Sequence, residues 1–165
     1  MSKILILAEH DGGQVKLASL AAVACAQKLA AAVGGAFDLL LVGERLGATA
    51  ELLRGYGAAA VLLADHAQLK QPVADKYADV LVEAVRARGA TFVIGAASTF
   101  TKDILPRAAA LLDAGMLSDV VDVQAVDGDL VFKRAQPLEG NQSVFKLPAK
   151  HHRPRSIKDV MKHHQ

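Results

Sequence analysis

Apolar residues fall in short unbroken runs, and longer segments of helical period separate them. Residues 3–8 (KILILA) show no alternation, as expected of a strand buried on both faces of a parallel sheet. A polar loop, Glu9 to Gly13, leaves that strand. An Ala- and Leu-rich helix is predicted over residues 16–33, stopped by Gly34-Gly35. A second strand is predicted over 36–42, with Gly43 turning the chain, then a short helix over 49–54 and a strand over 59–63. Pro72 opens a helix that runs to Arg88, where Gly89 stops it. Strands alternating with helices imply parallel strands and helices on both sheet faces.

The stretch from 91 to 120 carries the densest signals. An apolar run over 91–94 stops at Gly95, and a small, hydroxyl-rich loop follows over 96–101. A helix is predicted next, capped by Asp103, with Pro106 at its third position and Gly115 ending it in a left-handed turn. Strand, glycine, hydroxyl loop and helix start make a ligand-facing edge of an open α/β sheet; the same pattern equally suits one ordinary βα unit. Residues 119–126 alternate as a strand with one wetter face. Asp127-Gly128 then signals a hairpin whose second strand is predicted over 130–135. The fold class is therefore α/β: a three-layer, Rossmann-like open sheet, mostly parallel, with an antiparallel C-terminal hairpin.

Composition adds limits. A chain of 165 residues that is 52% hydrophobic supports one sizeable core. The start, MSKILILAEH, turns polar too soon for a secretory signal. The lone Cys25 offers no disulfide framework and reads as a small core residue of the first helix. Both features suggest a cytoplasmic setting. From Lys146 onward six Lys or Arg face one Asp, a net of +5, which leaves −3 on residues 1–145 when the whole chain carries +2. The expected division is thus an α/β domain over 1–145 and a basic tail over 146–165. The tail reads as a solvated terminus, and no nucleic-acid partner is expected because no Trp and only 4% aromatic residues supply stacking surfaces.

Candidate chemistry is sparse. There is no G-x-x-x-x-G-K-[ST], and no G-x-G-x-x-G follows a strand. Gly12-Gly13 is a lone pair that chiefly turns the chain. Glu9 and His10 are adjacent and point apart, which leaves His10 as a solvated loop histidine. The doublets His151-His152 and His163-His164 lack acidic or cysteine partners and sit among cations that repel a metal ion. No nucleophile elbow or paired carboxylates occur, so the expectation is a protein that makes no covalent bonds. Glu9, Gly95, Ser98, Thr99 and Thr101 are the candidates for holding a cofactor. The three hydroxyls have an alternative use at the helix terminus.

LILAEHDGG near the start and GAASTFTKDILPRAAALLDAGMLSDVVDV later resemble the N-terminal domain of the electron transfer flavoprotein alpha subunit. The matching features are Ala8-Glu9-His10 at the end of the first strand, the motif from Gly95 to Arg107, and Ser118-Asp119. The resemblance spans about residues 3 to 135. It implies a fold like that of the adenine-nucleotide alpha-hydrolases and an electron-carrier subunit, not an enzyme. It further implies a scaffold that pairs with a beta-type subunit around FAD held elsewhere in the assembly, with the FAD-binding domain absent from this chain. Arg153-Pro154-Arg155-Ser156-Ile157 is similar to the Arg-Pro strand that closes the alpha-subunit domain, whereas Pro154 to Lys162 is similar to the beta-subunit loop that recognises dehydrogenases. On the second reading Ile157, Met161 and Lys162 contact dehydrogenase partners. The alternative function is a small AMP- or ATP-binding module related to the universal stress proteins, using the loops after Ala8 and Gly95.

Overall fold

The computed structural model describes residues 3–134 and 142–146. In chain order the elements are β1 (Lys3–Leu7), β2 (His10–Asp11), β3 (Gln14–Val15), α1 (Leu17–Val33), β4 (Ala36–Gly43), α2 (Gly47–Leu53), β5 (Ala60–Asp65), α3 (Ala74–Arg88), β6 (Phe92–Ala96), α4 (Thr99–Leu111), β7 (Gly115–Val126), β8 (Asp129–Arg134) and β9 (Gln142–Lys146). Among the described residues, seven strands form one sheet in the order β5-β4-β1-β6-β9-β7-β8. The four strands β5, β4, β1 and β6 are parallel neighbours. Helices α3 and α4 cover one face and α1 and α2 the other, as the alternation of elements predicts.

The unbroken apolar runs follow from burial on both faces. In β1, Leu5 and Leu7 enter the core beneath α3 and α4, while Ile4 and Ile6 enter the core beneath α1. Leu40 and Val42 of β4 join the first set and Leu39 and Leu41 the second. Successive side chains of a strand point to opposite faces, so a strand between two helical layers needs an apolar residue at every position. A half-buried ion pair interrupts this in β4: the buried Asp38 accepts from Arg88 Nε at 2.8 Å, tying the strand to the last turn of α3.

The C-terminal strands depart from the expected neighbours. β7 runs in the direction of the four parallel strands, but β9 lies between it and β6, antiparallel to both. β9 earns that central place by its composition: Val144 enters one core and Phe145 the other. β7 begins at Gly115, earlier than the predicted 119, because Gly115 to Leu117 already pair with Lys146 to Val144 of β9, ahead of a register shift between Leu117 and Val120. Asp119 sits within that shift at φ 56, a left-handed conformation that Asp tolerates better than most residues. The β7–β8 hairpin forms as Asp127-Gly128 predicts, with both residues at positive φ.

Helix α4 corrects three expectations. Its cap is Ser98, not Asp103, which lies inside the helix. Pro106 is consequently the eighth helical residue, not the third. Its ring removes the hydrogen bond to Lys102, and the cost is limited because Lys102 and Pro106 both lie on the exposed side. The left-handed residue that ends the helix is Asp113 at φ 53, not Gly115. Ala114 N–H donates to Ala109 O at 2.9 Å, and Asp113 N–H to Ala110 O at 3.2 Å. These are the paired bonds of a Schellman ending.

Candidate functional site

The chain steps from β1 to β4 and β5 on one side, then crosses back to β6 on the other. Strand order therefore reverses between β1 and β6, where open α/β sheets take ligands beyond the carboxyl ends of their strands. A crevice of about 440 Å³ lies there, lined by Glu9, His10, Lys16, Tyr77, Thr99 and Phe100, with Lys70 at its margin.

The β1 side of the crevice is fastened to the start of α1. Glu9 N–H donates to Ser19 Oγ at 2.7 Å, and Glu9 O accepts from Lys16 N–H at 2.9 Å. Its carboxylate is buried and receives Lys16 Nζ at 2.8 Å through Oε1. That hydrogen bond, helped by the negative charge of Glu9, raises the Lys16 ammonium above its ordinary pKa. Gly12 and Gly13, both at positive φ, turn the small β2–β3 hairpin.

His10 is not the solvated side chain expected from its loop position. Its Nε2 lies 2.9 Å from Val42 O. A carbonyl only accepts, so Nε2 carries the proton. Gly43 makes room for the ring: a Cβ there would stand 2.9 Å from Nε2. The opposite wall is aromatic. Tyr77 donates its hydroxyl to Leu69 O and meets Phe100 edge-on, with centroids 5.9 Å apart at 84°. Burial pushes the Tyr77 phenol to about 12.

The loop after β6 is turned inward. Ser98 Oγ accepts Thr101 N–H at 3.2 Å, and Ser98 N–H donates to Thr101 Oγ1 at 3.2 Å, a reciprocal capping box. Thr101 is buried and also donates to Ala96 O. Gly95 lies within β6, paired to Leu7 and Ser143. A Cβ on it would come within 2.5 Å of Thr101 Cγ2 and 2.9 Å of Leu105 Cδ1. Of the five candidate cofactor residues, Glu9 and Thr99 thus line the crevice. Gly95, Ser98 and Thr101 form the joint between β6 and α4.

Lys16, Lys70, Tyr77 and Phe100 were not singled out from the sequence. They reach the crevice from the N-cap of α1, from the turn before α3, from α3 and from α4, and no local motif joins them. Cys25 is half-buried, and that burial pushes its thiol to about 11. Ile157, Met161, Lys162 and the four tail histidines lie outside the described residues. Among the described residues no group of His, Cys, Asp and Glu is arranged to hold a metal ion, and no helix is long and apolar enough to cross a membrane.

A sequence model of the family described as "Electron transfer flavoprotein domain" matches residues 4–144, the stretch from β1 to β9. The chain belongs to the electron transfer flavoprotein domain family. Within it, the chain is similar to the electron transfer flavoprotein subunit alpha of Bacillus subtilis, 31% identical over 132 residues, covering 80% of this chain and 40% of the relative. The Pseudomonas aeruginosa subunit alpha is 34% identical over 132 residues, with 79% and 40% covered. Protein FixB of Clostridium saccharobutylicum is 28% identical over 153 residues, with 92% and 45% covered. The chain spans less than half the length of these relatives. The match takes in both loops that flank the crevice, including the Glu9 clamp and the Ser98–Thr101 box.

Proposed function

We propose that this chain supplies the alpha-type N-terminal domain of an electron transfer flavoprotein, a rigid scaffold that pairs with a beta-type subunit in a flavin-dependent electron carrier. The family match from β1 to β9 carries the reading. The inward-turned loop after β6 supports a scaffold role. Thr101 fills the space above Gly95, and the Ser98 and Thr101 hydroxyls bond each other. That loop does not fit a dinucleotide diphosphate, which needs outward N–H groups and open glycine surface. FAD therefore belongs, on this reading, to the assembly and not to the residues around β6. The role of the chain is to fix the surroundings of the flavin.

Gel filtration of the 165-residue chain with an electron transfer flavoprotein beta subunit tests pairing. Co-elution is expected, and two separate peaks at micromolar concentrations contradict it. For Ile157, Met161 and Lys162 the proposal keeps contact with a dehydrogenase. Replacing all three by alanine is expected to slow reduction by that dehydrogenase and to leave co-elution unchanged.

One observation favours a second reading. The crevice lies at the strand-order reversal, with Lys70 at its margin. A small adenine nucleotide would then sit against Lys70 and Thr99. Equilibrium dialysis against AMP, ATP and FAD decides, and no binding of any of the three removes this option.

A further inference from the structure

Two buried acceptors on consecutive residues stand in the wall of the crevice with no donor among the described residues. Glu9 is 6% exposed. Its Oε1 takes Lys16 Nζ, while Oε2 is buried and has no hydrogen-bond partner. The Nε2–H of His10 is committed to Val42 O, which leaves Nδ1 as an acceptor, and that atom too is buried and unpartnered. Folded proteins leave few buried polar atoms unpaired, because each forfeits its hydrogen bonds to water. Two of them lining one crevice mark a place where a bound group completes the hydrogen bonding.

The surroundings define the chemistry of that group. Lys16 already balances the charge of Glu9, and a further cation entering the crevice would meet Lys16 and Lys70. The open acceptors therefore suit a neutral N–H or O–H donor, not an ammonium group or a metal ion. The opposite wall is the Tyr77–Phe100 pair. It offers an apolar surface to a flat ring, since the Tyr77 hydroxyl is spent on Leu69 O. Lys70, exposed at the margin, makes no ion pair among the described residues and is free to meet an anionic group.

We propose that the crevice selects a flat aromatic anion by a neutral amino or hydroxyl group on its ring. That group points inward to Glu9 Oε2 and His10 Nδ1, and the anionic group lies against Lys70. Amino- and hydroxybenzoates are the smallest members of this class, and the adenine nucleotide of the second reading is a larger one. The proposal rests on the crevice being a ligand site, as that reading does, and adds which end of the ligand enters and which residue reads it. Glu9 is then the residue that sets specificity.

Ligand-observed NMR on the full chain compares pairs that differ only in the inward group: 4-aminobenzoate with 4-methylbenzoate, and AMP with purine riboside 5′-monophosphate. The amino compound of each pair is expected to bind at least about tenfold more tightly, because its counterpart leaves both acceptors unpaired. Lys70→Ala is expected to weaken the amino compounds and to lessen the salt dependence of their binding. Glu9→Gln tests the reading residue itself. Lys16 only donates, so the amide oxygen must face it and the amide NH2 takes the place of Oε2. The preference for an amino group should then disappear. Circular dichroism checks that each variant folds, and the wild-type pairs decide the matter if Glu9→Gln does not. Binding without preference for the amino compounds overturns the proposal and leaves the ligand site standing. A preference that survives in folded Glu9→Gln also overturns it. No binding of either 4-aminobenzoate or AMP at millimolar concentration overturns the proposal and the ligand site together.

Discussion

Gly95 shows how a single position is read differently from sequence and from structure. In the sequence it is a glycine before a hydroxyl-rich loop, which suggests a ligand surface. In the structure the space its missing side chain leaves is taken by Thr101 and Leu105. Gly95→Ala is therefore expected to destabilise the fold by about 1–3 kcal/mol through overpacking, measured by urea denaturation. Thr101→Ser keeps the capping hydroxyl and removes the obstructing methyl. The double variant should lose clearly less stability than the two single changes added together. Additive losses would show that the two side chains do not compete for space. Cys25 gives a second test at this scale. With its thiol held near 11 instead of 9.0, the thiolate fraction at pH 8 is about 100-fold lower than for an unperturbed thiol. Slow reaction with a disulfide reagent in buffer and fast reaction in denaturant is the expected pair of results.

At the scale of elements, the sequence identified what local chemistry decides and missed what distant partners decide. Gly34 and Gly89 end α1 and α3 in the left-handed conformation that their positions suggested. Ser98 and Asp103 are both good caps, and the choice fell to Ser98 because Thr101, three residues on, completes a reciprocal box. Asp113 took the left-handed turn expected of Gly115, since Asp tolerates that conformation and the Schellman bonds hold it. β9 was invisible as a central strand because both of its neighbours, β6 and β7, precede it by many residues. The crevice was half legible: Glu9 and Thr99 flank it, but its lysines and aromatic wall come from separate elements.

The contact between α1 and β7 supplies a pH test at the same scale. Lys28 Nζ meets Asp122 Oδ1 at 3.0 Å. This hydrogen bond, with others from Val123 N–H and Gln124, holds the Asp122 carboxyl below its ordinary range. A carboxyl lowered by folding adds stability above its unfolded pKa and loses it as pH falls through the folded value. Thermal melts should show Asp122→Asn less stable than wild type near neutrality, with the gap closing in acid. A gap that persists at low pH would mean that the pair contributes through packing and not through charge.

For the whole molecule, alternating strands and helices specified two apolar cores on either side of one sheet, and both are present. The family match spans the same unit, while the chain covers about two-fifths of the length of its Bacillus subtilis and Pseudomonas aeruginosa relatives. The proposed task of this unit is to hold a partner subunit in place around a flavin, and that claim stands or falls on pairing. Isothermal titration of an electron transfer flavoprotein beta subunit into the purified chain measures it directly. Saturation at one beta subunit per chain, with a negative heat-capacity change from buried apolar surface, is the predicted result. No heat of binding at any temperature, with both proteins shown to be folded, would contradict it.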